Sequence, residues 1–285
     1  MWTEHRFDAG WGTLNYAQGP AGGPPLAMLH GVMRSWQTFL PIAASLSTRY
    51  EILALDHRGH GRSDRTEQGF ALLDYARDAQ AWLAATVREP VVLYGHSLGA
   101  MVAALVAANA PELVRGVVLE DPPWNTLGPA IGSTAWLGYF RAMLPWAGSQ
   151  LPVAELAKRL ADVSWLDPSS GRTIRLRDVR DAAALRMLAR SLTWLSPHVL
   201  PPVVAGNWFE GLPEGGLPER LARPALLLWA DEAAGGMLGE ADVERFRARC
   251  DDLSVVHFAG ASHNLHSTRP ADVLQAVYAF VESLD

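Results

Sequence analysis

The pentapeptide Gly95-His96-Ser97-Leu98-Gly99 constrains this chain more than any other stretch. It lies where the apolar run Val91-Val92-Leu93-Tyr94 ends and an alanine-rich helical pattern, Met101 to Ala108, begins. A serine with glycines two residues to either side has the G-x-S-x-G spacing of a nucleophile elbow. This is a sharp strand-to-helix turn in which only small neighbours fit and the hydroxyl stays exposed. The N-terminus of the following helix adds positive potential beside that oxygen. Taken alone the pentapeptide is equally a tight turn without chemistry, so its context decides.

The same rhythm recurs on both sides. Leu26-Ala27-Met28-Leu29, Ile52-Leu53-Ala54-Leu55 and Val114 to Leu119 are short continuous apolar runs, as strands buried on both faces require. They end at His30-Gly31-Val32, at the loop Asp56 to Asp64 and at Glu120-Asp121-Pro122-Pro123. Helices are expected over Trp36 to Leu46 and Leu72 to Val87, and an edge hairpin around Gly10-Trp11-Gly12. Further on come strands at Ala225 to Trp229 and Leu253 to Phe258, and helices at Val243 to Arg249 and Ala271 to Leu284. Such alternation predicts an α/β fold, a parallel sheet with helices on both faces that binds ligands beyond the carboxyl ends of its strands.

Between Pro122 and about Pro218 the rhythm is lost. Six of the eleven tryptophans, Trp124, Trp136, Trp146, Trp165, Trp194 and Trp208, fall there among prolines and helical patterns. The expected organisation is a core of 1–121 and 219–285 with 122–218 inserted as a helical cap. Some cap tryptophans would then face a mostly apolar pocket. Arginines from Arg172 to Arg190 alternate with Asp178 and Asp181, which reads as a solvated helix face rather than an anion site.

Composition narrows the function classes. With 49% hydrophobic and 19% charged residues the chain can bury a sizeable core, and its net charge of −6 offers no attraction to phosphate backbones or anionic lipid. Nucleic-acid and membrane-surface roles therefore recede, and the expected partner is a small molecule. The single cysteine, Cys250, excludes an intramolecular disulfide. The first residues, Met1 to Arg6, show no secretory pattern, so a cytoplasmic location is expected. His57 and His60 sit in a Gly-Arg turn with no carboxylate or cysteine at matching ligand spacing, and are expected to fix that loop rather than bind metal. No metal or cofactor is expected.

With His30-Gly31, the Asp56 to Asp64 loop, Gly95-His96-Ser97-Leu98-Gly99 and Gly260-Ala261-Ser262-His263 in this order, the sequence resembles the α/β-hydrolase fold family. The match covers the core from about Leu26 to Leu284. The resemblance implies a mostly parallel eight-stranded sheet, a nucleophile at Ser97, a general base at His263, and an oxyanion hole made by the backbone N–H groups of Val32 and Leu98. Epoxide hydrolases and haloalkane dehalogenases of this fold carry Asp where Ser97 stands, which disfavours those reactions.

The chemistry supports the same roles. A serine hydroxyl is a poor nucleophile at neutral pH, so a histidine must take its proton and a carboxylate must hold that histidine in the right tautomer. Relatives usually carry the acid in a G-x-x-D turn after the seventh strand, but here that strand runs into Ala230-Asp231-Glu232-Ala233. Other branches take it from the end of the sixth strand, where Glu120-Asp121-Pro122 stands. Successive strand residues face opposite sides, and counting from Gly116 selects Asp121, with Asp231 as the alternative. His30, Gly31, His96 and Trp124 are expected to line the substrate pocket, and His266 to start a helix. The expected activity is hydrolysis of a carboxylic ester or lactone, with apolar or aromatic substrates favoured, through an acyl-enzyme. The alternatives are a carbon–carbon bond hydrolase of diketone-type compounds, which polar or basic pocket residues would favour, and a hydrolase-like small-molecule receptor with slow turnover.

Overall fold

The computed structural model describes residues 1–20, 22–212 and 216–284. The segments 1–121, 122–218 and 219–285 are thus described save for Ala21, for 213–215 and for Asp285 respectively.

An antiparallel hairpin, β1 (Thr3–Asp8) and β2 (Thr13–Gln18), leads into β3 (Pro25–Leu29). A single 3-10 turn over Trp36–Phe39 then precedes α1 (Leu40–Leu46). The continuous helix expected here is split at Pro41, whose missing N–H is tolerated only in a first helical turn. There follow β4 (Glu51–Leu55), α2 (Leu72–Thr86), β5 (Val91–His96), α3 (Leu98–Asn109) and β6 (Val114–Glu120). Between β6 and the next strand of the large sheet lie α4 (Ala135–Met143), α5 (Val153–Ala161), β7 (Ser164–Asp167), β8 (Arg172–Arg175), α6 (Leu176–Val179), α7 (Ala182–Trp194) and α8 (Leu200–Ala205). The chain closes with β9 (Ala225–Ala230), α9 (Glu240–Arg247), β10 (Leu253–Phe258), α10 (Leu265–Thr268) and α11 (Pro270–Glu282).

The eight-stranded sheet runs β1-β2-β4-β3-β5-β6-β9-β10, with every pair from β4 to β10 parallel and β2 antiparallel to both neighbours. Alternation along the central strands sorts side chains into two cores. Ala27, Leu29, Leu53, Leu55, Leu93 and Leu119 pack on one face against α2 and α3. Leu26, Met28, Ile52, Ala54, Val92 and Val118 pack on the other against α1 and α11. The helix α3 is apolar all round, from Leu98 to Ala107, because it is buried on every side.

The stretch between β6 and β9, expected to be a helical cap, is not wholly helical. Its strands β7 and β8 pair antiparallel across the Asp167 to Arg172 turn, where Ser169 and Ser170 donate to the Asp167 carboxylate. Alternating half-buried and exposed residues in Ser164–Asp167 give the period-2 signature of a strand with one wet face. Among the described residues no helix is long and apolar enough to cross a membrane.

Candidate active site

The loops that follow β3, β5, β6 and β10 converge at one end of the sheet. The non-glycine residues with positive φ among those described are Met33 (57°), Ser97 (55°) and Asp121 (46°), and all three lie in these loops. Left-handed backbone at residues with side chains is costly and persists where the surroundings over-determine it, as at functional sites.

Close packing explains the glycines of the elbow. A Cβ on Gly95 would lie 2.1 Å from the Gly99 carbonyl oxygen, and one on Gly99 would lie 1.8 Å from the Leu29 carbonyl oxygen. Side chains at either position would push β5, α3 and β3 apart. Ser97 is thereby held at the corner, at the N-terminus of α3. Among the described residues its hydroxyl makes no hydrogen bond, and it lines a small inner cavity of about 30 Å³ with His96, His263 and Gly31.

Glu120 and Asp121 end β6 and point to opposite sides. Asp121 is fully buried, and its Oδ2 lies 2.6 Å from His263 Nδ1. The same carboxylate accepts the Met237 N–H at 2.8 Å and the Ala230 N–H at 3.3 Å. His263 Nδ1–H thus donates to Asp121, which leaves Nε2 of the ring free to act as a base. Asp231 is elsewhere: its carboxylate accepts from the N–H groups of Ala233 (2.9 Å) and Gly260 (2.8 Å), and these bonds hold it below the usual carboxylate range.

Glu120 makes a second pair that sequence reasoning missed. Its Oε1 and Oε2 each lie 2.9 Å from His266 Nδ1, Oε1 accepts the His266 N–H at 3.0 Å, and Tyr94 O–H donates to Oε2. His266 does open α10, yet it is fully buried and its Nε2 pairs with Thr38 Oγ1 at 3.0 Å. His96, Glu120 and His266 bring one candidate metal-ligating atom each to within 4.8 Å of one another. Glu120 and His266 are already engaged, Glu120 by its donors and His266 by Thr38, whereas His96 Nδ1 has no hydrogen-bond partner among the described residues.

His96 donates from Nε2 to the His263 carbonyl at 3.1 Å. Burial first, then the neighbouring His263 and His266, push its pKa well below the ordinary histidine value. It is therefore neutral, with a bare Nδ1 that a Cβ on Gly31 would approach to 2.8 Å. Gly31 thus has to be glycine for the loop after β3 to pass over the elbow.

Two substrate-lining expectations are corrected. Trp124 is fully buried against Phe209 and lines none of the three cavities at this end of the molecule. His30 is also fully buried and lines none of them. Its Nδ1–H donates to the Gly31 carbonyl at 2.8 Å, a carbonyl that also accepts the Arg34 N–H at 3.2 Å, while its Nε2 accepts the His57 N–H at 3.1 Å. Because a trans peptide directs C=O and N–H oppositely, anchoring the Gly31 carbonyl aims the Val32 N–H the other way. Neither the Val32 nor the Leu98 N–H donates to a backbone carbonyl among the described residues. His57 and His60 pack on His30, and burial pushes their pKa values down to about 3 and about 4.

Two arginines complete the surroundings. Arg34 and Arg180 line the inner cavity beside Ser97, together with Trp136 and Tyr139 of α4. Arg180 departs from the solvated-face expectation for its stretch, while Arg177 conforms to it, paired with Asp162 on the surface. An outer cavity of about 570 Å³ shares Trp136, Tyr139, Arg180, His263 and Asn264 with the inner one and adds Trp165, Ile174 and Leu176. The signal for Arg34 was its place four residues past His30 in the loop after β3. Nothing in the sequence set Arg180 apart from its neighbours.

A family model described as the α/β hydrolase fold matches residues 24–270, and the chain belongs to that family. It is 27% identical over 287 residues to 2-(acetamidomethylene)succinate hydrolase of Mesorhizobium japonicum, covering 98% of this chain and 95% of that one. It is 26% identical over 266 residues to the sn-1-specific diacylglycerol lipase ABHD11 of Xenopus laevis, covering 92% of this chain and 80% of the lipase. A crystal structure of E-2-(acetamidomethylene)succinate hydrolase superposes with a TM-score of 0.73 at 25% identity, over 99% of this chain and 100% of that one. An epoxide hydrolase structure reaches the same TM-score, 0.73, at 17% identity over the whole of both chains, which is a likeness of fold.

Proposed function

We propose that this α/β-hydrolase is a serine hydrolase that cleaves a carboxylic ester, or its cyclic form, a lactone, through an acyl-enzyme. Ser97 Oγ attacks the acyl carbon while His263 Nε2 takes its proton, and the alcohol leaves with that proton. Water, deprotonated by the same nitrogen, then releases the acid and restores Ser97. Asp121 keeps the His263 proton on Nδ1 and stabilises the imidazolium. The Val32 and Leu98 N–H groups receive the oxyanion, a contribution of roughly 3 kcal/mol for each donor.

The observation that carries this reading is the 2.6 Å Asp121–His263 bond beside a serine held at φ 55° on the same cavity. Ser97 and His263 line the same cavity without a hydrogen bond between them, and catalytic hydrogen bonds often form or tighten only around substrate. In this reading 122–218 is a cap that supplies Trp136, Tyr139 and Arg180 over the strand ends. The inner cavity of about 30 Å³ has room for a short acyl group, and the outer one, about 570 Å³, for the remainder.

Hydrolysis of p-nitrophenyl esters from acetate to octanoate, beside small lactones, tests it with wild type and Ser97→Ala. Ser97-dependent turnover that falls with chain length is the expected result. Absence of turnover on the whole panel would overturn the ester reading. Arg34 and Arg180 favour a second reading, carbon–carbon hydrolysis of a diketone-type compound to an acid and a ketone, because basic residues suit the enolate that leaves before it takes up a proton. Acid release from a β-diketone, with none from the esters, would select it. A single slow turnover with retained ligand would instead indicate a receptor.

A further inference from the structure

Among the described residues eleven arginines are matched to carboxylates. Arg6 pairs with Asp64, Arg58 with Asp78, Arg159 with Glu155 and Arg220 with Asp251. Arg34 and Arg180 differ. Arg180 has no hydrogen-bond or ion-pair partner among the described residues, and the side chain of Arg34 reaches only Asn264 Oδ1, at 3.5 Å. Both line the inner cavity, and both line a side cavity of about 80 Å³ that opens beyond Asn264. No Asp or Glu lines either space; Asp167 and Glu232 line only the outer cavity. Burial lowers the Arg34 pKa, and the Arg180 charge acts in the same direction, against Tyr139.

Two cations that face one confined space without an anion repel each other and are poorly hydrated. The arrangement becomes favourable when an anion enters, and a guanidinium fork suits a planar carboxylate. Asn264 adjoins His263, so the pair is tied to the residue that would act on the scissile bond.

We infer that Arg34 and Arg180 form a carboxylate-binding subsite beside Ser97, so that the substrate is an acyl compound carrying a free carboxylate near the bond cleaved. This deepens the hydrolase reading and rests on it for the reaction, though not for the binding. The carboxylate bridges the two guanidinium groups, neutralises their repulsion and fixes the acyl carbon against Ser97. Neutral lipid-like esters of equal size lack that anchor.

Two matched pairs of esters test the subsite: p-nitrophenyl hydrogen glutarate against p-nitrophenyl butyrate, with the carboxylate on the acyl side, and 4-carboxyphenyl acetate against phenyl acetate, with it on the leaving side. In at least one pair the carboxylated ester is expected to lead in kcat/KM by on the order of 10²-fold. That ratio should fall by a similar factor in Arg180→Met and Arg34→Met and return in part in Arg180→Lys. Glutarate should inhibit wild type competitively where neutral glutaramide does not, a readout that needs no variant to fold. Turnover of the neutral esters with no carboxylate preference in either pair and no glutarate inhibition would remove the subsite and leave the hydrolase standing. If no ester is turned over but glutarate still binds Ser97→Ala in calorimetry, the subsite stands and the ester reading falls. If neither occurs, both fall.

Discussion

Adjacent residues at the end of β6 build two acid–histidine pairs that look alike on paper and differ in what lies on the far nitrogen. Glu120 holds His266 through Nδ1, and Thr38 occupies Nε2, so the ring is sealed in the core. Asp121 holds His263 through Nδ1, and the ring borders the cavity that Ser97 lines. A carboxylate orients an imidazole in both places, but only an imidazole with an open second nitrogen can carry a proton to and from a substrate. The other supports its neighbours: the His266 ring lies against His96, which donates to the His263 carbonyl.

The two histidines should therefore fail in different ways. His263→Ala is expected to lower kcat by on the order of 10⁶, as loss of a serine-triad base does elsewhere, with a smaller loss of stability than His266→Ala, because removing a ring that borders the cavity lets water take its place on Asp121. His266→Ala should leave kcat within about tenfold but destabilise the fold by roughly 3 kcal/mol, because it strips the Nδ1–H donor from a buried carboxylate and the ring partner from Thr38. Kinetics and thermal unfolding on the two variants read this directly. If His266→Ala abolished turnover without loss of stability, the assignment of roles would be reversed.

The acids sharpen the contrast. Asp121→Asn keeps shape but no longer fixes the His263 tautomer, and is expected to cost about 10⁴ in kcat. Glu120→Gln keeps the Tyr94 and His266 contacts in altered form and should cost far less activity than stability. Kinetics beside thermal unfolding separate them, since Asp121→Asn should lose kcat at near wild-type stability and Glu120→Gln the reverse.

The loops after β3 and β4 add a pH dependence of their own. His57 and His60 are held neutral by burial, with pKa values of about 3 and about 4, and His30 is pushed down as well. In the unfolded chain each would titrate near 6.5. Their stabilising effect is complete above that value and is lost as pH falls towards about 4, where the unfolded chain binds protons that the folded one refuses. Asp56, raised to about 6 by burial, acts oppositely between about 4 and 6, but one carboxyl opposes three imidazoles. The melting temperature should fall between pH 6.5 and 4.5, and more steeply in wild type than in His60→Gln. Equal slopes would mean that His60 titrates normally in the folded protein.

Legibility followed the range of the interaction. The strands could be read because burial on both faces leaves apolar runs, and the elbow because only glycine fits beside Leu29 and Gly99. The opposition of Glu120 and Asp121 followed from strand alternation, although which histidine each meets depends on the course of the loop after β10. Arg180 was not legible, since its unpaired state is a property of the cavity rather than of the sequence around it. His30 was misread for a related reason: a histidine before the oxyanion loop suggests a ligand contact, whereas its ring turns back onto its own loop. The hairpin of β7 and β8 was hidden because four-residue strands carry too little periodicity to stand out from a helical background.

The smallest expected effect concerns the rival acid. Asp231→Asn removes a charge from a carboxylate that receives the Ala233 and Gly260 N–H groups in the turn after β9. The amide oxygen can keep one of those bonds, so kcat should stay within about twofold of wild type, as for a typical surface change away from a site. The comparison with Asp121→Asn matters because both positions end strands next to the same histidine loop, Gly260 to His263. A carboxylate that shapes the loop and one that touches the imidazole would both impair activity if loop position alone were limiting. A fall in kcat for Asp231→Asn comparable to that for Asp121→Asn would show that the backbone around Gly260, and not the 2.6 Å bond to His263, sets the activity of the base.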